Sequence, residues 1–258
     1  MIEVREVYFS YRSAPALRGV SLTIGDGGIY GILGPSGSGK STLALTLNGI
    51  IPDSIRGAFS GEVLVRDPKT GETFKTTETP VPKLSTLVGL VLQNPESQLF
   101  NMTVEDEVAF ALENLGLPRD EIERRIRWAL RAVNLEGRED EFPPNLSGGE
   151  KKRLAIASVI AMKPAHLVLD EPFAGLDAGS RRAIERLILE LSREITVVVI
   201  EHDSRFLFRE ARELFVLDGG RLVMSGEIDV EKLVELGVKV PPEALLRRAL
   251  GRNASQGA

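Results

Sequence analysis

The chain has 258 residues, 43% of them apolar and 27% charged, with a net charge of −5. That is enough apolar mass for one large domain or two lobes, and the charge argues against a nucleic-acid binder that uses its whole surface. There are no cysteines and only two histidines, which excludes disulfides and thiolate metal sites and leaves little for a histidine-rich centre.

Met1 runs straight into a strand pattern, so the chain reads without a signal peptide, and no stretch approaches the roughly 20 apolar residues of a membrane helix. Work at a membrane would go through a partner that spans it. Residues 4–9 and 20–24 alternate as half-buried antiparallel strands. Residues 29–33 form a brief apolar run that ends in a glycine-rich loop, and 41–49 read as a helix closed by Gly49. A strand is expected over 61–66, a hairpin tip or mobile loop over 67–79, and a buried strand over 87–92, ending at Gln93.

After Gln93 the character becomes helical. Thr103 and Asp106 have capping-box spacing, and a helix of about three turns should follow to Leu115. Ile122, Ile126, Leu130 and Val133 carry the spacing of a second helix. A third should run from Ser147 to about Met162. Strands resume over 167–169 and 196–200, with a helix between them around 181–193. The second strand is β-branched and uncharged, as in a parallel strand covered on both faces. Residues 213–224 read as a hairpin, 229–250 as two short helices, and 253–258 as a frayed end.

Residues 34–41 fit G-x-x-x-x-G-K-S between a strand and a helix, the context that motif requires. Gly34, Pro35, Ser36, Gly37, Ser38 and Gly39 would wrap backbone N–H groups around phosphates, with the helix N-terminus adding partial positive charge. Lys40 would reach the β- and γ-phosphates, Ser41 would hold Mg²⁺, and Thr42 could donate to the α-phosphate. Asp170 and Glu171 end a buried strand at the edge where such sheets bind ligands. Strand alternation would aim them differently: Asp170 at Mg²⁺ through water, Glu171 at the attacking water. His166, at the start of that strand, reads as structural.

Ser147 and Glu150 form a capping box, which does not explain Gly148 and Gly149 in the same first turn, where each costs about 1 kcal/mol against alanine. Absent side chains there open a helix N-terminus to an anion. Since the cradle already holds its own phosphates, the natural ligand for this second site is the γ-phosphate bound by another subunit.

With these motifs in this order, the chain resembles the nucleotide-binding subunits of ABC transporters over about residues 1–225. The resemblance implies an α/β fold: a P-loop NTPase (RecA-like) core with an antiparallel β subdomain and a helical subdomain. It divides the chain into the core at 1–93 and 164–225, a helical signature subdomain at 94–163, and a short helical tail at 226–258. It implies that Tyr11 stacks on adenine. Gln93 would link Mg²⁺ and water to the membrane partner. Ser147, Gly148 and Gly149 would bind the opposite subunit's nucleotide, Asp177 would join the two sites, and His202 would contact the γ-phosphate. Without the resemblance, Tyr11 reads equally as a surface aromatic, Gln93 as a strand-end residue and His202 as a turn cap.

Residues 93–100 and 103–110, with 47–52, look like the ATPases of energy-coupling factor transporters, which take up vitamins or cobalt and nickel ions. That implies ATP hydrolysis by a paired ATPase on the cytoplasmic face of the membrane, beneath a transmembrane coupling subunit and a separate substrate-binding subunit. Asn94, Glu96, Gln98 and Phe100 are then docking candidates, although Phe100 and Leu99 could instead anchor the helices. Glu150 and Phe173 depart from the commoner glutamine and threonine of the wider family, and the tail looks short. The rival readings are a soluble ABC-type ATPase of cofactor assembly and a non-hydrolysing nucleotide sensor, the latter opposed by Glu171 and His202.

Overall fold

The computed structural model describes residues 1–12 and 14–245. The first lobe carries β1 (Ile2–Tyr11), β2 (Ala14–Ile24), β3 (Gly28–Leu33), α1 (Lys40–Leu47), α2 (Ile50–Asp53), β4 (Ala58–Arg66), β5 (Thr73–Lys75), α3 (Val81–Ser85) and β6 (Val88–Val91). The expected turn-rich segment is thus a hairpin tip: β5 pairs antiparallel with the end of β4. The helices α4 (Val104–Asn114), α5 (Arg119–Ala132) and α6 (Gly148–Ile160) follow. The chain then returns through β7 (His166–Asp170), α7 (Ala178–Leu191), β8 (Thr196–Glu201), α8 (Arg205–Glu210), β9 (Glu213–Asp218), β10 (Arg221–Ser225) and α9 (Val230–Glu235). Residues 242–245 are helical, and the rest of the second helix expected in the tail, like the frayed end expected at 253–258, lies outside the described residues.

Two sheets organise these elements, ordered β2-β1-β4-β5 and β10-β9-β3-β8-β7-β6. The first is antiparallel. In the second, β6, β7, β8, β3 and β9 run parallel and β10 closes an antiparallel edge. The alternation of β8 shows why its run is unbroken. Val197 and Val199 enter the core shared with the helices, while Val198 and Ile200 enter the core shared with the antiparallel sheet. Both faces are covered, so no position is left for a polar residue until the strand ends. Parallel strands joined by crossovers place all their following loops at one edge, and the loops after β3, β7 and β8 meet there.

Helix α4 is capped as its sequence predicts on one side only. Thr103 Oγ1 accepts from Asp106 N at 3.0 Å. The return bond from Asp106 is not made, since its carboxylate is one methylene shorter than that of Glu150, which closes the box at the start of α6.

Candidate functional site

The glycine-rich loop joins β3 to α1. Gly34 has φ +151°, and a Cβ there would sit 2.1 Å from the Leu217 carbonyl oxygen; Gly39 has φ +100° and would meet the Ala16 carbonyl at 2.6 Å. The loop can therefore be tight only with glycine at these points. No side chain caps α1, so its first backbone N–H groups stay available for an anion. The buried Lys40 donates from Nζ to the Gly34 and Pro35 carbonyls at 2.9 and 2.8 Å. Burial lowers its pKa, opposed by Glu171, Asp170 and Glu201. Beside it, the Tyr11 hydroxyl lies 3.2 Å from Thr42 Oγ1, and the half-exposed Tyr11 ring meets Phe9 edge-on at 4.8 Å.

Asp170 is buried, and its Oδ1 has no hydrogen-bond partner. Burial pushes its carboxyl pKa up, while a bond from Ser41 pulls it down. Glu171 departs from the expected geometry. The strand ends at Asp170, and Glu171 adopts the left-handed conformation at φ +47°. A backbone turn, and not strand alternation, separates the two carboxylates. The turn is held on both sides. Glu171 N donates to the Ile200 carbonyl at 2.9 Å, and Lys152 Nζ donates to the Glu171 and Ala174 carbonyls at 2.7 and 3.0 Å. Such a strained residue persists only where its surroundings over-determine it. The Glu171 carboxylate then accepts from Gln93 Nε2 at 2.7 Å and lies 3.7 Å from His202 Nδ1.

His202 follows β8, with its side chain 41% exposed. Its backbone is clamped by the tail: Lys239 N donates to the His202 carbonyl at 3.1 Å, and Ser204 N and Oγ both donate to the Lys239 carbonyl at 2.8 Å. Leu233 and Val238 bury beside this strap.

Ser147 caps α6 and shares a reciprocal box with Glu150, whose carboxylate also takes a bond from Arg138. Ser147 and Gly148 are exposed, and a Cβ on Gly148 would meet nothing within 4 Å. Gly149 has a different reason to be glycine: a Cβ there would lie 2.4 Å from Ser180 Oγ on α7. That hydroxyl donates to Asp177 Oδ2 at 2.6 Å, and Asp177 caps α7 through the Gly179 and Ser180 amides at 2.7 and 3.0 Å. Asp177 thus packs its helix against the signature turn.

The fold gathers residues 34–42 with Tyr11, Gln93, Asp170, Glu171 and His202. The Ser147–Gly148 turn stands off from them, its helix linked to the site through Lys152 on the Glu171 carbonyl at 2.7 Å and through the Lys151–Glu96 ion pair at 3.0 Å. Lys152 and Glu201 join the site without belonging to any of its sequence motifs. Lys152 lies one helical turn from both Gly149 and Ile156, on the buried face, and Glu201 is the lone charge that ends an apolar strand; those were the available signals.

The sequence profile described as ABC transporter matches residues 17–174. The chain is 51% identical to a putative ABC transporter ATP-binding protein of Pyrococcus abyssi, over 98% of this chain and 94% of that one. It is 43% identical to the energy-coupling factor transporter ATP-binding protein EcfA of Methanothermobacter thermautotrophicus, over 96% of this chain and 79% of the relative. The solved structure of CbiO1 from Clostridium perfringens, described as part of the ABC transporter complex CbiONQ, matches with a TM-score of 0.77 at 33% identity. That match covers 96% of this chain and 98% of CbiO1.

Proposed function

This chain belongs to the ABC transporter family, as one of its ATP-binding and ATP-hydrolysing subunits, and on that premise we propose that it energises an energy-coupling factor importer for a vitamin or a transition-metal ion. It would sit on the cytoplasmic face of the membrane, paired head to tail with a second ATPase subunit, either a copy or a paralogue. EcfA and CbiO1 as relatives support this branch. No helix among the described residues is long and apolar enough to cross a membrane, and the proposal supplies the spanning segments from partner subunits.

The observation that carries the reading is a groove of about 460 Å³ beside the Gln93 segment, walled by Leu45, Leu92, Phe100, Phe110 and Met162 among others. Phe100 is 64% exposed and meets Phe110 edge-on at 4.8 Å. An exposed aromatic pair on an apolar groove suits a helix of a membrane subunit. The docking set narrows to Phe100 as its free anchor. Gln98 is spent on the edge of β6, accepting from Leu92 N at 2.9 Å and donating to the Leu90 carbonyl at 3.1 Å. Asn94 caps its own turn through Glu96 N, and Glu96 pairs with Lys151. In this reading residues 94–163 act as the helical subdomain, which carries both the docking surface and the signature turn.

In catalysis, Lys40 and the open end of α1 would hold the β- and γ-phosphates, with Tyr11 against adenine and Thr42 at the α-phosphate. Glu171, oriented by Gln93, would take the proton of the attacking water, and His202 would steady the γ-phosphate. Ser147, Gly148 and Gly149 would complete the site of the partner, with Asp177 tying the two sites together. The residues present fit a magnesium ion: the orphaned Asp170 Oδ1, the Ser41 hydroxyl and Gln93 supply few protein ligands, as suits an ion that keeps water and phosphate oxygens. Bound there, Mg²⁺ would neutralise charge on the phosphates.

Affinity capture of the tagged protein from detergent-solubilised native membranes, followed by mass spectrometry, tests the proposal. A multi-helix coupling subunit and a second ATPase are expected, with the accompanying binding subunit naming the substrate. Recovery of soluble proteins alone would overturn it in favour of an ATPase of cofactor assembly.

A further inference from the structure

Glu201 ends β8, an otherwise uncharged run, and is 1% exposed. A carboxylate at such a place is costly unless its oxygens accept hydrogen bonds. Here both do. Oε1 accepts from Phe173 N at 3.1 Å, and Oε2 accepts from His202 N at 3.3 Å. Phe173 lies two residues past Glu171, so one buried side chain ties together the loop that carries Glu171 and the loop that carries His202. The ring of His202 lies between the two carboxylates: its Nδ1 is 3.7 Å from Glu201 Oε2 and 3.7 Å from Glu171 Oε1. A threonine or valine would continue the strand at less cost and would span neither loop.

We propose that Glu201 is a positioning residue for ATP hydrolysis, fixing the His202 ring against Glu171 by bonding the backbone of both loops. The proposal rests on the assignment of Glu171 and His202 to the reaction made above. Buried behind the two loops with both oxygens spent on backbone amides, Glu201 would act through His202 and not on the nucleotide itself.

Glu201→Gln tests this, because it keeps the shape and replaces one acceptor oxygen with a donor, so only one of the two amides can be bonded. Hydrolysis per ATP-binding molecule in single turnover should fall about tenfold or more, with ATP affinity within about twofold of the parent. A merely structural role would instead lower thermal stability and leave turnover per folded molecule unchanged. Glu201→Asp, too short to reach both amides, carries the same expectation and serves if the glutamine variant fails to fold. On a His202→Ala background, Glu201→Gln should cost no more than about a further twofold, as residues acting through one another are non-additive. A parental rate in both Glu201 variants, or a full additive loss on that background, would overturn the proposal. If His202→Ala alone hydrolyses at the parental rate, the assignment of His202 has failed, and this inference falls with it.

Discussion

The two histidines of the chain stand at opposite ends of the parallel sheet and have been given opposite surroundings. His166 opens β7 at the amino edge, fully buried, with Nε2 3.3 Å from the Met1 amino group and 3.4 Å from the Arg66 carbonyl, and Nδ1 without a partner. Burial pushes its pKa down to about 4, so the ring is held neutral. Its sheet neighbour Thr196 is satisfied by hydrogen bonds instead, accepting from Gly27 N at 2.8 Å and donating to the Gly25 carbonyl at 3.3 Å. His202, past the carboxyl edge, is half-exposed between two carboxylates. There the fold keeps buried groups of both signs, Lys40, Lys152, Asp170 and Glu201, in one neighbourhood. A fold neutralises a buried group it does not use, and it tolerates desolvated charge where a charged ligand completes the balance.

The contrast breaks most completely at the carboxyl edge, on the turn at Ser147–Gly148 that is proposed to complete the neighbouring subunit's site. If the turn serves the partner's nucleotide as proposed, Ser147→Arg should cut hydrolysis about a hundredfold or more and leave ATP affinity within a few-fold. Equilibrium binding of a fluorescent ATP analogue beside phosphate release separates the two effects. An equal loss of binding would place the turn in its own subunit's site.

At the amino edge the expected effect is smaller and falls on stability. The folded His166 pKa lies below its unfolded value, so the unfolded state binds more protons between about pH 6.5 and pH 4. Stability is fully present above that window and falls as pH drops through it, by roughly 3 kcal/mol at most. His166→Gln should flatten that slope in urea unfolding measured from pH 4.5 to 7.5, and leave hydrolysis at pH 7.5 within about twofold. An unchanged slope would show that other groups set the acid sensitivity.

Much of the carboxyl edge could be read in the sequence because its parts are contiguous: the loop at 34–41, the pair Asp170–Glu171 and the box Ser147–Glu150 each carry their chemistry within a few residues. The long periodic helices α4 to α6 and the β-branched β8 were legible for the same reason. What escaped is held by tertiary contact. Lys152 acts on carbonyls 19 and 22 positions away, Glu201 joins two loops, and the strap at Lys239 uses backbone that any residue supplies. Gly149 stands at the helix end that the sequence marks as open, but its close approach to Ser180, a further reason for glycine there, is a tertiary contact. Short elements such as α8 and β5 offer too few positions for a period to show.

Under the function proposed above, one chain holds half of two ATP sites. Glu171→Gln should slow hydrolysis and so preserve the ATP-bound pair. Its molar mass by light scattering should be that of a monomer without nucleotide and of a dimer with saturating ATP and Mg²⁺, and Ser147→Arg added to it should abolish the dimer. A Glu171→Gln protein that is saturated with ATP and still monomeric would contradict the account.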